Sequence, residues 1–248
     1  MRMTELTNHL QKIHEYQKTD FRWCNIRKFI KKYITGRKVL DAGCGSGHLT
    51  LDLLKENYDV TAIDNSDEMV FYTQKNVKDA HYSATIFSCD LISLKNQNLS
   101  LFDTIICLDV IEHIEKDTRA LRNFRDLLKN EGTLILSVPA IKLFFGDQDK
   151  KLGHYRRYNK KELTETLNNT GFEIFKIRNW NFIGILPYVL FEKILHKSLN
   201  DTIRYSRTST RSNLLNTLLS YWFSIIENNI PFPVGLTLIA VCKKRADI

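Results

Sequence analysis

The sequence has 248 residues, 43% of them hydrophobic and 26% charged, with a formal net charge of +8. That length suits one α/β domain carrying an insertion, and that balance excludes a disordered or fibrous chain. Five scattered cysteines (Cys24, Cys44, Cys89, Cys107 and Cys242) form no CxxC pair, which excludes a disulfide or zinc scaffold and points to a reducing, cytoplasmic setting.

The segment Met1 to Tyr16 is polar and mixed in charge, unlike a signal peptide. Helical spacing runs from about Asn8 to Tyr33, with Phe21, Ile26, Phe29, Ile30 and Tyr33 on one face, and Gly36 ends it. An apolar run at Val39-Leu40 stops at a glycine cluster, and a helix with Leu49, Leu53 and Leu54 on one face follows. The alternation then repeats. Val60 to Ile63, Ser83 to Ser88, Phe102 to Leu108 and Thr133 to Val138 read as strands. Ser66 to Val77 and the stretch with Ala120, Leu121, Phe124, Leu127 and Leu128 read as helices. Strands alternating with helices imply a mainly parallel sheet with helices on both faces.

After Pro139 the pattern changes. Phe144 to Tyr158 reads as a polar loop and Glu162 to Asn169 as a short helix. Phe172 to Trp180 and Leu236 to Cys242 read as two more strands, and the roughly 50 residues between them are too many for a hairpin loop. The expected organisation is a single domain: an N-terminal helical segment (1–35), a cofactor-binding core (36–180), a helical insertion or cap (181–230), and a final strand and tail (231–248). The longest apolar stretch, Trp180 to Leu195, contains Pro187, Glu192 and Lys193 and falls short of the roughly 20 residues of a membrane span.

The chemically interesting residues each follow a strand, where ligands of open α/β sheets bind. Gly43, Gly45 and Gly47 let backbone approach a ligand closely. Their GxGxG spacing differs from the dinucleotide fingerprint GxGxxG. The acidic Asp41 before them suits a ligand amine better than a phosphate. Asp64, ending the second strand, is placed to accept both hydroxyls of a ribose. Asp90, after the third, is placed to accept from an adenine amine or to cap a turn.

Together, Val39-Leu40-Asp41-Ala42-Gly43-Cys44-Gly45-Ser46-Gly47, Ala62-Ile63-Asp64-Asn65-Ser66, Cys89-Asp90-Leu91 and Phe102 to Ile114 resemble, in order and spacing, the class I S-adenosylmethionine-dependent methyltransferases. The loop Gly153-His154-Tyr155-Arg156-Arg157-Tyr158 and the segment Pro231-Phe232-Pro233-Val234-Gly235 resemble a bacterial subgroup of that family, with a proline inserted before the subgroup's glycine. A weaker similarity is to quinone-biosynthesis O-methyltransferases, which work at membranes. The resemblance implies a Rossmann-like α/β fold with a seven-stranded, mainly parallel sheet whose last strand is antiparallel. It implies S-adenosyl-L-methionine as cofactor and S-adenosyl-L-homocysteine as product, without a metal. Asp64 and Asn65 would then meet the ribose, and Asp90 and Leu91 the adenine. Asp41, Gly43, Gly45, Gly47 and the backbone at Leu108 would meet the methionine portion. Arg27 would pair with its carboxylate, or be an ordinary helical arginine.

For the acceptor the residues leave several readings open. His113 and His154 are the candidate general bases. Arg156, Arg157 and Tyr158 are candidate substrate donors, or anchors of their own loop. The expected acceptor is oxygen or nitrogen on a small or lipid-linked molecule. Apolar residues from Phe182 to Phe191 followed by Lys193, Lys197, Arg204, Arg207 and Arg211 would suit peripheral contact of 181–211 with the inner face of a membrane, or equally a buried helix or homodimer face. No residue spacing suggests a metal site. The competing reading is a non-catalytic S-adenosylmethionine-binding protein or a nucleic-acid-binding protein. Dispersed basic residues argue against nucleic acid as a partner.

Overall fold

The computed structural model describes residues 20–195 and 210–245. Its strands are β1 (Lys38–Ala42), β2 (Asp59–Asp64), β3 (Thr85–Ser88), β4 (Phe102–Leu108), β5 (Leu128–Pro139), β6 (Phe172–Trp180) and β7 (Thr237–Lys244). They form one sheet in the order β3-β2-β1-β4-β5-β7-β6. The first five pair in parallel, whereas β7 runs antiparallel to both β5 and β6. This is the seven-stranded, mainly parallel architecture expected from the sequence.

The central strands are buried on both faces, so successive residues enter opposite cores. Ile105 and Cys107 of β4, Leu134, Leu136 and Val138 of β5, and Leu238, Ala240 and Cys242 of β7 belong to one core. Ile106 and Leu108, Ile135, and Ile239 and Val241 of the same strands belong to the other. Helix α4 (Asp117–Leu127) and a helix at Lys160–Asn169 cover the first face through Ala120, Leu121, Phe124, Leu163 and Leu167. Helices α1 (Phe21–Lys31), α2 (His48–Lys55) and α3 (Asp67–Asp79) cover the second through Ile26, Phe29, Ile30, Leu49, Leu53 and Val77.

Helix α1 begins at Phe21 because the Asp20 side chain accepts the Trp23 N–H at 3.0 Å, an ordinary N-cap. The expected helical spacing from Asn8 to Thr19 lies outside the described residues. Within the segment read as a polar loop, a short helix α5 (Asp147–Lys151) forms, and the Asp149 carboxylate accepts the Gly146 N–H at 3.1 Å. The helix at Lys160–Asn169 is α6.

Among the described residues between β6 and β7 are helical segments on either side of 196–209. Helix α7 (Ile185–Tyr188) continues with wider turns to Ile194, and α8 (Thr210–Tyr221) continues likewise to Glu227. Lys197, Arg204 and Arg207 lie outside the described residues. The buried Glu227 carboxylate accepts the backbone N–H groups of Asn181, Phe182 and Ile183 at 3.1, 2.7 and 3.1 Å, which fixes the exit from β6. Phe223 packs against Trp180 and Phe21 with ring centres 4.6 and 5.4 Å away. Each such ring pair adds about 0.5–1.5 kcal/mol beyond its buried area, so the insertion is docked on α1 as well as on β6. Among the described residues no helix is long and apolar enough to cross a membrane.

Candidate functional site

The carboxyl ends of β3, β2, β1 and β4 stand side by side, so Asp90, Asp64, the glycine loop and Asp109 come to one rim. The loop after β1 is held from two directions. Gly43 N–H and Cys44 N–H both donate to the Ile63 carbonyl, at 2.8 and 2.9 Å, and Gly47 N–H donates to the Cys44 carbonyl at 2.9 Å. From α3, Thr73 Oγ1 donates to the Gly45 carbonyl at 2.7 Å and Asn76 Nδ2 to the Ser46 carbonyl at 2.9 Å. Gly43 has φ +84° and Gly47 φ +78°; a Cβ at Gly43 would lie 2.3 Å from a Val110 methyl. Only glycine lets the β1 and β4 turns come this close.

Two carboxylates flank the loop. Asp64 accepts the Gly45 N–H and the Ser66 N–H, both at 2.9 Å, one on each oxygen. Burial raises its pKa, and the backbone donors of Ser66, Gly45 and Asn65 partly offset that. Asp41 is 4% exposed and accepts the Thr50 hydroxyl at 2.6 Å. Burial pushes its carboxyl up to about 6; the Thr50 bond and the charge of Arg27 oppose the rise, and Asp64 adds to it. Asp41 is thus a buried carboxylate whose ionised form is incompletely compensated within the protein. Arg27 is buried, its Nε 2.9 Å from Asp52 of α2. Asp90 is exposed and accepts the Ile92 N–H at 2.9 Å, while Leu91 and Leu108 are buried and Asn65 is exposed.

Sequence reasoning missed the role of Arg22. Its guanidinium reaches from α1 to Asp109 at 2.6 Å and to the Thr237 hydroxyl at 3.3 Å. Asp109 has φ +52° and also accepts the Ser137 hydroxyl at 2.6 Å. Burial would raise its pKa, but Arg22 and Ser137 outweigh that and hold it below the usual carboxylate range. A short i, i+87 contact carries no local signal, which is why only the tertiary structure shows it.

Beyond Asp109 the structure brings His113 and His154 together, their rings edge to face with centres 4.6 Å apart. His154 Nδ1 lies 3.0 Å from Asp149, which also accepts Arg157 Nε at 2.7 Å. His154 and Arg157, with other donors, outweigh burial and lower the Asp149 pKa. Partial burial and then the neighbouring His154 lower the His113 pKa, so its imidazole is neutral at pH 7. Next to them Glu112 is 1% exposed, and burial raises its pKa well above the ordinary value.

The three loop donors are bonded within the protein. Arg157 Nη2 also donates to the Tyr188 hydroxyl of α7 at 2.8 Å. The Tyr158 hydroxyl donates to Asp117 at 2.7 Å. Arg156 pairs with Asp117 at 3.1 Å and donates to the Glu115 carbonyl at 2.6 Å, its side chain 28% exposed. The loop is thus tied to the start of α4 and to the insertion.

A GxGxG loop between the buried Asp41 and the half-buried Asp64, on the carboxyl rim of a doubly wound sheet with an antiparallel strand β7, defines a nucleoside-cofactor site of Rossmann-like type. A methyltransferase-domain family model matches residues 12–177. The chain belongs to the class I S-adenosylmethionine-dependent methyltransferases. A ubiquinone biosynthesis O-methyltransferase of Rickettsia bellii is 29% identical over 163 residues, covering 58% of this chain and 65% of the relative. One of Coxiella burnetii is 30% identical over 112 residues, covering 44% and 47%. The chain thus spans less than two thirds of the length of these curated relatives. Among solved structures, a Thermotoga maritima S-adenosylmethionine-dependent methyltransferase, described as a possible histamine N-methyltransferase, has a TM-score of 0.61 at 15% identity, covering 97% of each chain. Magnesium protoporphyrin IX methyltransferase of Synechocystis, with S-adenosylhomocysteine bound, has a TM-score of 0.54 at 20% identity, covering 94% of this chain and 84% of that one. At these identities the structures show the shared fold.

Proposed function

We propose that this protein transfers a methyl group from S-adenosylmethionine to oxygen or nitrogen of a small or lipid-linked acceptor. The observation that carries the reading is the pair Asp41 and Asp64 on either side of the glycine loop, one buried with the Thr50 hydroxyl as its donor and the other held by the Gly45 N–H. When bound, the cofactor supplies a methyl group on an already activated sulfonium. The protein's own work is then binding and alignment. Asp64 and Asn65 hold the ribose hydroxyls, and Asp90 and Leu91 bound the adenine. Asp41, the glycine backbone and the Leu108 backbone hold the methionine portion, and Arg27 faces its carboxylate. His113 and His154 are placed to deal with the proton an oxygen acceptor must lose. Arg156, the most exposed of the loop donors, is assigned to an anionic group on the acceptor, while Arg157 and Tyr158 support the loop.

A lipid-linked acceptor is favoured by one surface feature. Leu186, Leu190 and Ile194 are 77, 43 and 62% exposed at successive helical turns of the insertion, an apolar stripe suited to a membrane face. Vesicle flotation that leaves the protein in the soluble fraction removes the membrane part of this reading, and a concentration-dependent dimer would account for the stripe instead.

The test of the function is calorimetry with S-adenosylmethionine and S-adenosylhomocysteine, followed by labelled-methyl transfer to aqueous and lipid fractions of bacterial extracts with mass spectrometry of the product. Saturable binding of both and a labelled product are expected. Absence of binding to either refutes the reading.

A further inference from the structure

We propose that the insertion prepares the general base of the reaction. Tyr188 of α7, acting through Arg157 and Asp149, holds His154 with its Nε2 free to take a proton. The inference rests on the methyl-transfer reading; it adds which histidine takes the proton and which residues position it.

The chain of contacts is continuous. The Tyr188 hydroxyl accepts from Arg157 Nη2 at 2.8 Å, and Arg157 Nε donates to Asp149 Oδ1 at 2.7 Å. The same Asp149 oxygen lies 3.0 Å from His154 Nδ1, while Oδ2 accepts the Gly146 N–H at 3.1 Å. Asp149 is 1% exposed and its pKa is lowered, so it is ionised at neutral pH and can only accept. His154 Nδ1 therefore carries the ring proton, which leaves the lone pair of the neutral ring on Nε2. The main chain fixes the same place. His154 N–H donates to the Asp149 carbonyl at 2.9 Å, and Tyr155 N–H to the Glu112 carbonyl at 2.8 Å. His154 is thereby held beside the turn after β4, its ring against His113 and near enough for its charge to act on Asp109.

Tyr188 completes the chain from outside the loop. Arg157 is buried, and the acceptors of its Nη1 and Nε, Ala140 and Asp149, precede it in the same loop region. Nη2 takes its acceptor from the insertion. Burial pushes the Tyr188 hydroxyl up to about 12, so it stays protonated at neutral pH and accepts with a lone pair. Its ring lies 5.0 Å from the Arg157 guanidinium and stacks on Phe144, with ring centres 5.3 Å apart. Lys193, further along, donates to the Phe144 carbonyl at 2.7 Å. No residue from Ile185 to Ile194 is buried. A segment fastened at a few points rather than by a core is drawn from the less stable part of a fold, where elements that respond to ligands are found. Docking of α7 and readiness of the base are then one event.

The proton has a defined route. As an acceptor oxygen bonds to the methyl carbon, the carbon–sulfur bond breaks and its electron pair stays on sulfur. The hydroxyl proton passes to His154 Nε2, and the resulting imidazolium is paired with ionised Asp149.

The experiment is ¹⁵N-histidine NMR of the full chain, with and without S-adenosylhomocysteine, at about pH 8, where an ordinary imidazole is neutral. His154→Gln assigns the signals, and calorimetry gives the S-adenosylhomocysteine affinity of each variant. The wild type should show the Nδ1–H tautomer of His154. Asp149→Asn should show the Nε2–H tautomer and lose at least about 100-fold in labelled-methyl transfer to bacterial extract, since a base in the wrong tautomer cannot accept the proton. Tyr188→Phe keeps the ring and removes only the hydroxyl. It should move the His154 signals part of the way towards those of Asp149→Asn and lower transfer about 10-fold, the weight of one charge-assisted bond, with S-adenosylhomocysteine affinity unchanged. An Nε2–H tautomer in the wild type overturns the proposal, and that measurement needs no variant to fold. His154 signals indifferent to Tyr188→Phe overturn the role of Tyr188. A wild type that binds no S-adenosylhomocysteine, yet shows a His154 tautomer that depends on Tyr188, supports the positioning and counts against the methyltransferase reading.

Discussion

Replacing Asp41 by asparagine removes a carboxyl whose ionisation the folded protein opposes. Its pKa rises from an ordinary 3.8 to about 6, mainly through burial. Between those values the folded state holds a proton that the unfolded state has released, so stability falls as pH rises through this window. Below about pH 4 the group is neutral in both states and contributes no penalty; above about pH 6 the penalty is complete. A rise of this size corresponds to about 3 kcal/mol, taking 1.36 kcal/mol for each tenfold change in proton affinity. Asparagine keeps an acceptor for the Thr50 hydroxyl but cannot ionise. Urea unfolding at pH 4 to 8, without cofactor, should show a loss of about 3 kcal/mol in the wild type relative to Asp41→Asn. The same charge should repay its cost in binding: wild-type affinity for S-adenosylhomocysteine should tighten from pH 5 to 7, and that of the variant should not. Parallel stability profiles for the two proteins would refute the reasoning, since the titrating group would then lie elsewhere.

Other substitutions probe the neighbouring contacts. On the proposed ribose role of Asp64, Asp64→Ala should weaken S-adenosylhomocysteine binding at least about 100-fold, since two charge-assisted bonds would each be worth about 1.5–3 kcal/mol; equal discrimination against a 2′-deoxy analogue by wild type and variant would remove the ribose assignment. Arg22→Leu leaves Asp109 without its partner and should cost about 2–4 kcal/mol in urea unfolding at pH 7, a loss that shrinks as pH falls and Asp109 protonates. Tyr158→Phe deletes one buried bond to Asp117 and should lower stability by about 1–2 kcal/mol, leaving S-adenosylhomocysteine affinity unchanged. A large change in that affinity would show that the loop contacts the cofactor.

The parts of the fold readable in the sequence are those whose signal is local. Apolar runs ending in Asp41, Asp64 and Asp90 identify strands by period and length, and the glycines that follow β1 mark a close backbone approach. The start of α1 is local too, since Asp20 is a visible cap. What the sequence leaves hidden is set by distance across the chain. Thr50, Thr73 and Asn76 look like ordinary helix residues until the fold brings them to Asp41, Gly45 and Ser46. His113 and His154 stand out individually, but only the fold brings their rings together, with centres 4.6 Å apart. Arg156, Arg157 and Tyr158 form a dense donor run, and only tertiary contacts reveal that Asp117 and Asp149 occupy most of those donors.

The position of β7 sets the order in which the molecule can be completed. It lies between β5 and β6, and among the described strands it is the last to leave the ribosome. Until it emerges, β5 offers an open edge and β6 has no strand to join, because β7 is its neighbour in the sheet. Five parallel strands can assemble during synthesis, but the sheet closes only once β7 has emerged. In that interval the β5 edge carries unpaired backbone groups that can pair with another chain.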